Sequence, residues 1–151
     1  MSMRRATADD LPAVVALTEA AYLPNEPIIG TPSLPRIADY DTVLAQHEIW
    51  LAEGVAGLEG VLVLEEEPNL FGVWSVAVTP ASAGRGVGSA LMGFAEARAR
   101  ERGFDAIHLY TNAKLADRIA WYERLGYAIT HHEDRPNRRL VHMRKPLHKA
   151  G

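Results

Sequence analysis

Residues 76–92, VAVTPASAGRGVGSALM, join a strand pattern to a helix pattern through a glycine-rich turn. After the turn, apolar residues recur at i, i+3, i+4, i+7 and i+8 until Gly103 ends the pattern. They are Val87, Ala90, Leu91, Phe94 and Ala95. The first N–H groups of a helix lack an intrahelical acceptor, and glycines let an anion approach the backbone. The turn therefore predicts a phosphate site, although tight turning or close packing explains the same glycines.

Two better-known phosphate motifs do not fit this turn. A P-loop needs Lys before Ser or Thr, whereas Ser89 directly follows Gly88 with no Lys. A dinucleotide-binding turn belongs to a first βαβ unit with an acidic residue after the next strand, and here Thr111-Asn112 ends that strand. The sequence thus argues against an ATP loop and against a dinucleotide fold.

The elements on either side predict one mixed sheet. A short strand at Met3–Arg5 precedes a helix, which a capping box of Thr7 and Asp10 opens and whose apolar face is Leu11, Val14, Val15, Thr18 and Tyr22. A proline-rich loop from about Leu23 to Tyr40 and a short helix from about Arg36 to Gln46 follow. The remaining predicted elements are strands Ile49–Ala52, Gly60–Glu66 and Leu70–Thr79, strand Ala106–Thr111, helix Lys114–Leu125, and strands Tyr127–His132 and Leu140–Lys145.

Composition narrows the class of protein. The 151 residues suit one domain over residues 1–151, and the absence of cysteine excludes disulfides, thiolate metal sites and a cysteine nucleophile. No stretch of about 18 apolar residues occurs, so we expect a cytoplasmic protein without a membrane partner. The net charge of -3 offers no basic face for nucleic acid. Any phosphate must then be bound locally.

Two motifs together resemble the GNAT superfamily of acetyl-CoA-dependent N-acyltransferases. The segment at residues 76–92 is similar to its acetyl-CoA motif, and residues 120–127, AWYERLGY, are similar to its second signature about 35 residues later. The resemblance extends from the first strand to Pro146, except for the loop from about Leu23 to Tyr40, a candidate wall for the substrate. It implies an α+β fold of about seven mostly antiparallel strands, with a splayed parallel pair in the middle, and about four helices.

The resemblance also implies how acetyl-CoA binds. Strands Val73–Thr79 and Ala106–Thr111 would splay, and the main-chain groups of Val76 and Val78 would pair with the pantetheine arm. A backbone N–H near Val76 to Val78 would stabilise the oxyanion. The N–H groups of the glycine turn would hold the pyrophosphate, and Arg85 is either a further phosphate contact or a solvated arginine. The cofactor-binding residues predicted in this way are Val76, Ala77, Val78, Gly84, Arg85, Gly86, Val87, Gly88, Ser89 and Asn112.

Tyr122 is the catalytic residue that the resemblance implies. The superfamily commonly uses the tyrosine at this position to protonate the departing thiolate. The alternative is a core tyrosine at helical spacing from Leu115 and Ile119. The chain departs from the family at Ala83, where Gln or Arg is usual, and at Leu115, where many members have Asn that Asn112 is a candidate to replace. Trp74 stands where some members present a glutamate base.

Other groups are candidates for the base or for acceptor binding. His108 and Tyr110 share one face of a strand, and His131, His132 and Glu133 lie in a later strand. Adjacent histidines on a strand point to opposite faces, which argues against a metal. Asp39, Tyr40 and Glu26 follow or lie within the proline-rich loop, where a carboxylate would hold an ammonium group. Solvated loop charges are the alternative, and the residue types favour it.

The leading hypothesis is direct transfer of an acetyl group from acetyl-CoA to a primary amine, in a small molecule or a peptide, without a metal. The departures at Ala83, Leu115 and Trp74 motivate an alternative, a CoA-binding regulatory module whose chemistry has lapsed. A third is an acyl-CoA-binding domain with no preference for acetyl. Trp50, Trp74 and the edge strands leave room for a homodimer.

Overall fold

The computed structural model describes residues 1–55 and 57–148. Within them, seven strands form one sheet in the order β1-β2-β3-β4-β5-β7-β6. The strands are β1 Ser2–Arg5, β2 Glu48–Gly54, β3 Gly57–Glu67, β4 Leu70–Val78, β5 Ala106–Asn112, β6 Ala128–Arg135 and β7 Arg138–Pro146. The helices are α1 Leu11–Tyr22, α2 Glu26–Ile29, α3 Leu34–Ile37, α4 Tyr40–Gln46, α5 Val87–Glu101 and α6 Ala116–Arg124.

The predicted topology is confirmed. Strands β2, β3 and β4 are antiparallel neighbours, and β4 pairs in parallel with β5 in the middle of the sheet. The other described pairs are antiparallel. The glycine-rich turn therefore connects two adjacent parallel strands through α5, and the segment before α5 lies at the edge where β4 ends.

Helix α1 begins where the capping box predicts. Asp10 Oδ2 accepts a hydrogen bond from the Thr7 N–H at 2.8 Å, and a short 3₁₀ turn leads into Leu11. The predicted face is wrong at Val15, which is exposed, because the buried arc is centred between Leu17 and Tyr22 and Val15 lies at its rim. The face predicted for α5 is wrong at Ala90, which is exposed.

The prediction of an irregular loop after Tyr22 is wrong in part. A 3₁₀ turn at Leu23–Asn25 and the single-turn helices α2 and α3 occupy most of this segment, each with proline in its first turn. Proline is tolerated there because the N–H groups of a first turn have no intrahelical acceptor. The short helix predicted from about Arg36 is interrupted, since Ala38 is extended and α4 begins at Tyr40.

Two hydrophobic cores hold the helices on the sheet. The α5 core lies between the sheet and helices α5 and α6, with Leu62, Phe71, Leu91, Ile107 and Met143 among its members. The α1 core lies on the opposite face under α1 and α4, and it includes Val14 and Ile49. In the part of the chain that the structure describes, no helix is long and apolar enough to cross a membrane.

Candidate active site

A β-bulge separates β4 from β5 and opens the candidate site. Val63 pairs with Ser75 and Leu64 pairs with Val73, so Trp74 is an extra residue in β4. The bulge shifts the alternation of side chains, since Val73 and Val76 both face the α5 core although three positions apart. Pairing with β5 is limited to Gly72 with His108 and Val73 with Leu109, and it stops at the bulge. A cleft begins at that point.

The cleft is lined by residues of both diverging strands. Trp74, Ser75 and Val76 form one wall, and Tyr110, Thr111 and Asn112 form the other. Residues of one strand that are two apart present their main-chain groups to the same side. Because Val76 O faces Arg118 in the cleft and Thr79 N–H donates to Glu59 O of β3, the main-chain groups of Val78 also face the cleft side. Ala77 lies between them, so its main-chain groups point away from the cleft toward β3, and its side chain lies in the α1 core.

Tyr122 lies at the inner end of this cleft. Its side chain is 4% exposed, and the Tyr127 ring contacts it edge-on with 6.0 Å between ring centres. Burial raises the pKa of Tyr122, and the positive charge of Arg118 partly opposes that rise. The phenol is therefore protonated throughout the neutral pH range. The two interpretations of Tyr122, as a residue of the site and as a core residue, do not exclude each other. Tyr122 belongs to the α5 core and also lines the cleft.

Arg118, which the sequence did not single out, lies across the cleft. Its Nη2 donates to Val76 O at 2.8 Å, and Tyr22 Oη donates to the same oxygen at 3.1 Å. The guanidinium carbon lies 5.4 Å from the Tyr22 ring centre and 5.7 Å from that of Tyr122. The signal in the sequence was the i, i+4 spacing of Arg118 and Tyr122, which places both on one face of α6.

The glycine-rich turn has the left-handed backbone that its glycines permit. Gly84 has φ 77° and Gly86 has φ 81°, and Gly86 is the N-cap of α5. Arg85 N–H is already used, since it donates to Ser82 O at 3.3 Å, and the Arg85 side chain is exposed. The N–H groups of residues 87–89 lie in the first turn of α5 and therefore have no intrahelical acceptor. In the described residues no side-chain cap of α5 replaces that acceptor.

Gly88 serves helix packing as well as the turn. A Cβ atom at Gly88 would lie 3.3 Å from Cζ2 of Trp121, so the α6 tryptophan packs directly on this glycine. The contact brings α6, and with it Tyr122, against the start of α5. One glycine in the turn therefore has the packing role that was left open as an alternative to phosphate binding.

Asn112 lines the cleft at the end of β5. Its Oδ1 accepts a hydrogen bond from Lys114 N–H at 3.0 Å, which fixes the turn into α6. Leu115 also lines the cleft. The carboxamide nitrogen of Asn112 is the group left for a ligand, and the cofactor contact of Asn112 stays a prediction.

The segment from α2 to α3 closes the other side of the cleft. Ile29, Ser33, Leu34 and Pro35 line it. The carboxylates of the segment face elsewhere: Glu26 pairs with Arg36 and accepts from Ser33 N–H, and these bonds lower the pKa of Glu26. Asp39 caps α4 by accepting from Asp41 N–H at 3.1 Å. Tyr40 Oη donates to Pro35 O at 2.6 Å, which holds α3 in place.

The candidate bases are mostly outside the cleft. Tyr110 lines it, whereas His108 lies deeper in β5, where burial lowers its pKa. The His131 ring stacks on His142 with 4.3 Å between ring centres, and Glu133 Oε1 lies 2.7 Å from Nε2 of His142. His132 is exposed. Among the described residues, no three or more His, Cys, Asp or Glu side chains form a group that could hold a metal ion.

Comparisons with known proteins agree with this architecture. The family model described as "Acetyltransferase (GNAT) family" matches residues 14–127. "Uncharacterized N-acetyltransferase YjgM" of Escherichia coli K12 is 32% identical over 134 residues, which are 83% of this chain and 80% of that protein. The ribosomal-protein-S18-alanine N-acetyltransferase of Escherichia coli superposes with a TM-score of 0.79 at 18% identity, covering 99% of this chain and 96% of that one.

A further similar structure contains a ligand. The PaiA N-acetyltransferase of Thermoplasma acidophilum, solved in complex with coenzyme A, has a TM-score of 0.79 at 15% identity and covers 96% of this chain and 98% of its own. At such identities these two structures show a shared fold. The family model and the Escherichia coli K12 relative show that the similarity extends to the amino-acid sequence.

Proposed function

Because this chain belongs to the GNAT acetyltransferase family, we propose that it moves an acetyl group from acetyl-CoA to a primary amine by direct attack in a ternary complex. The observation that carries the proposal is a buried, protonated tyrosine, Tyr122, at the inner end of the cleft between β4 and β5. Acetyl-CoA supplies the activated acetyl group. The protein supplies N–H groups that bind an anion, main-chain groups of β4 that face the cleft, and a proton donor.

The residues present fit acetyl-CoA at the phosphate end. The N–H groups of Val87, Gly88 and Ser89 have no intrahelical acceptor and lie at the positive end of the α5 dipole, which suits a pyrophosphate. We assign the pyrophosphate to this turn together with Gly84 and Gly86. Arg85 is exposed beside it and free to add a charge-assisted contact.

Along β4, fewer main-chain groups are available to the pantetheine arm than the resemblance implied. Arg118 and Tyr22 already donate to Val76 O, and a carbonyl oxygen has two lone pairs, so this oxygen has no capacity left for a pantetheine amide. The N–H of Val76 and the main chain of Val78 are the groups that we assign to the pantetheine arm. Ala77 contributes only as a spacer between them.

Tyr122 Oη is proposed as the general acid. The amine nitrogen bonds to the acetyl carbon, the carbon–sulfur bond breaks, and the proton on Tyr122 Oη passes to the departing sulfur. The proton that the new amide nitrogen loses goes to solvent, from which Tyr122 is reprotonated. Arg118 lies against the Tyr122 ring and limits the rise in its pKa, which keeps the phenol acidic enough to donate.

The test is Tyr122→Phe, with Tyr127→Phe as the matched control. Tyr127 is buried beside Tyr122, but its hydroxyl donates to Glu96 Oε2 at 3.2 Å and it does not line the cleft. We expect Tyr122→Phe to lower kcat for CoA release by about 10²- to 10⁴-fold, the usual contribution of a positioned acid. The Kd for acetyl-CoA should stay within about twofold, since only a hydroxyl that donates during the reaction is removed.

Two outcomes would contradict the proposal in different ways. An unchanged kcat in Tyr122→Phe would remove Tyr122 from the mechanism while leaving acetyl transfer intact. If the wild-type protein bound acetyl-CoA in calorimetry but acetylated no member of a broad panel of amines, the lapsed CoA-binding module would be the better account. Relative affinities for acetyl-CoA and longer acyl-CoA thioesters test the preference for acetyl.

A further inference from the structure

The charges that line the cleft have one sign. Of the residues around it, Arg118 and Arg138 are the charged ones, and none is acidic. Arg118 enters from α6 at the inner end, beside Tyr122. Arg138 enters from the first residue of β7, where its Nη2 donates to Pro32 O at 3.1 Å. Arg138 therefore lies next to the α2–α3 segment, which belongs to the predicted substrate wall, and this part of the cleft is called the acceptor side below.

Neither arginine has an acidic partner among residues 1–55 and 57–148. The carboxylates nearest to Arg138 in the sequence are engaged elsewhere, since Glu133 pairs with Arg135 and Asp134 pairs with Arg139. Asp117, which precedes Arg118, does not line the cleft. Glu26 pairs with Arg36. Two guanidinium groups thus share a partly enclosed cleft with no carboxylate to balance their charge.

The free donors of Arg138 suit a carboxylate. A guanidinium has five N–H donors in a planar fork, and the contact of Arg138 with Pro32 O uses one of them. Such a fork binds a carboxylate through two parallel hydrogen bonds. Charged groups in a partly enclosed site with apolar walls act more strongly than in water. The site is therefore complementary to an anion and unfavourable to a second cation.

The remaining walls on the acceptor side are apolar. Ile29, Leu34 and Pro35 lie on one side and Leu140 lies on the other. Resting on the proposed acetyl transfer, we propose that the acceptor is an amino acid with an apolar side chain, whose carboxylate binds Arg138. Arg118 adds positive potential at the inner end. Both charges lower the pKa of a nearby amine, so the attacking group reaches the neutral form without a dedicated base.

The test compares acids with their amides. The acceptors are L-alanine, L-valine, L-leucine, L-methionine, L-phenylalanine and L-tryptophan, each beside its carboxamide and its decarboxylated amine. We expect the wild-type kcat/KM to favour the acid. Arg138→Gln should lower kcat/KM for the acid by about 10- to 100-fold, chiefly through KM, and leave the amide within about threefold.

Arg139→Gln is the matched control, because Arg139 is exposed, pairs with Asp134 at 3.6 Å and lies outside the cleft. It should leave the preference for the acid unchanged, and Arg138→Lys should restore part of it. Equal losses for acid and amide in Arg138→Gln, or a wild-type preference for the amide or the amine, would overturn the inference while leaving acetyl transfer standing. If none of these compounds were acetylated but another amine of the broad panel was, this inference would fail and acetyl transfer would stand. If no amine at all were acetylated although acetyl-CoA bound, the proposed function would fail, and this inference with it.

Discussion

At the scale of single residues, Gly86 holds a backbone conformation that other residues adopt at a cost. Its φ is 81°, yet a Cβ atom there would meet no atom within 4 Å, so strain would come from the backbone alone. We predict that Gly86→Ala lowers the free energy of unfolding by about 1–2 kcal/mol. It should also weaken acetyl-CoA binding, because relaxing φ turns the N–H groups at the start of α5. Urea unfolding and calorimetry measure the two effects.

Gly93→Ala is the matched control for Gly86→Ala. Gly93 is exposed inside α5 and also has open space around it, but its φ is not in the left-handed region. Alanine should raise the stability by about 0.5–1 kcal/mol at this position. Equal changes in the two variants would mean that the turn does not depend on a left-handed Gly86.

Some residues of the candidate site could be predicted from the sequence, and others could not. Tyr122 and the glycines of the turn belong to short local motifs, which one sequence shows directly. Tyr122 lies in α6 and lines the cleft, and the turn precedes α5. Arg118 shares one face of α6 with Tyr122 through its i, i+4 spacing, but the spacing does not show what that face contacts. Arg138 belongs to no motif, and its approach to the cleft depends on how β7 packs. Residues that meet only through tertiary packing leave no periodic signal in one sequence.

At the scale of elements, the bulge in β4 determines the shape of the site. The shift from Val73 to Val76 on one face is visible in the sequence as a break in alternation, but it is also consistent with a strand buried on both faces.

The prolines between α1 and α4 are consistent with either a loop or the first turn of a short helix. The same residue that breaks a long helix begins a short one, so sequence reasoning predicted a loop where α2 and α3 form.

The start of α5 yields a prediction for hydrogen exchange. The amides of Val87, Gly88 and Ser89 lack intrahelical acceptors, whereas the N–H groups deeper in the helix have them. We predict fast exchange at these three amides in the free protein and at least tenfold slower exchange when acetyl-CoA is added, measured residue by residue by NMR. The first turn of α1, on the opposite face of the sheet, should show no change. Unchanged exchange at α5 under saturating acetyl-CoA would exclude the turn as the pyrophosphate site.

At the scale of the whole molecule, buried tyrosines occur in both cores. Burial raises the pKa of Tyr40 to about 12, and it also raises the pKa values of Tyr110, Tyr122 and Tyr127. These residues lie in both cores and in the cleft between the diverging strands. Loss of their protons is therefore coupled to unfolding of the whole molecule rather than to unfolding of one element.

The linkage predicts that the protein loses stability above about pH 10. An unfolded tyrosine ionises near pH 10, while these folded tyrosines still hold their protons, so the unfolded state binds fewer protons and the free energy of unfolding falls as pH rises. Below pH 10 both states are protonated and the contribution is constant. Tyr40→Phe should remove up to about 1.4 kcal/mol per pH unit from this slope between pH 10 and about 12. Urea unfolding at pH 8 to 12 measures the slope, and phenolate absorbance at each pH reports ionisation; full ionisation near pH 10 with native circular dichroism would contradict the prediction.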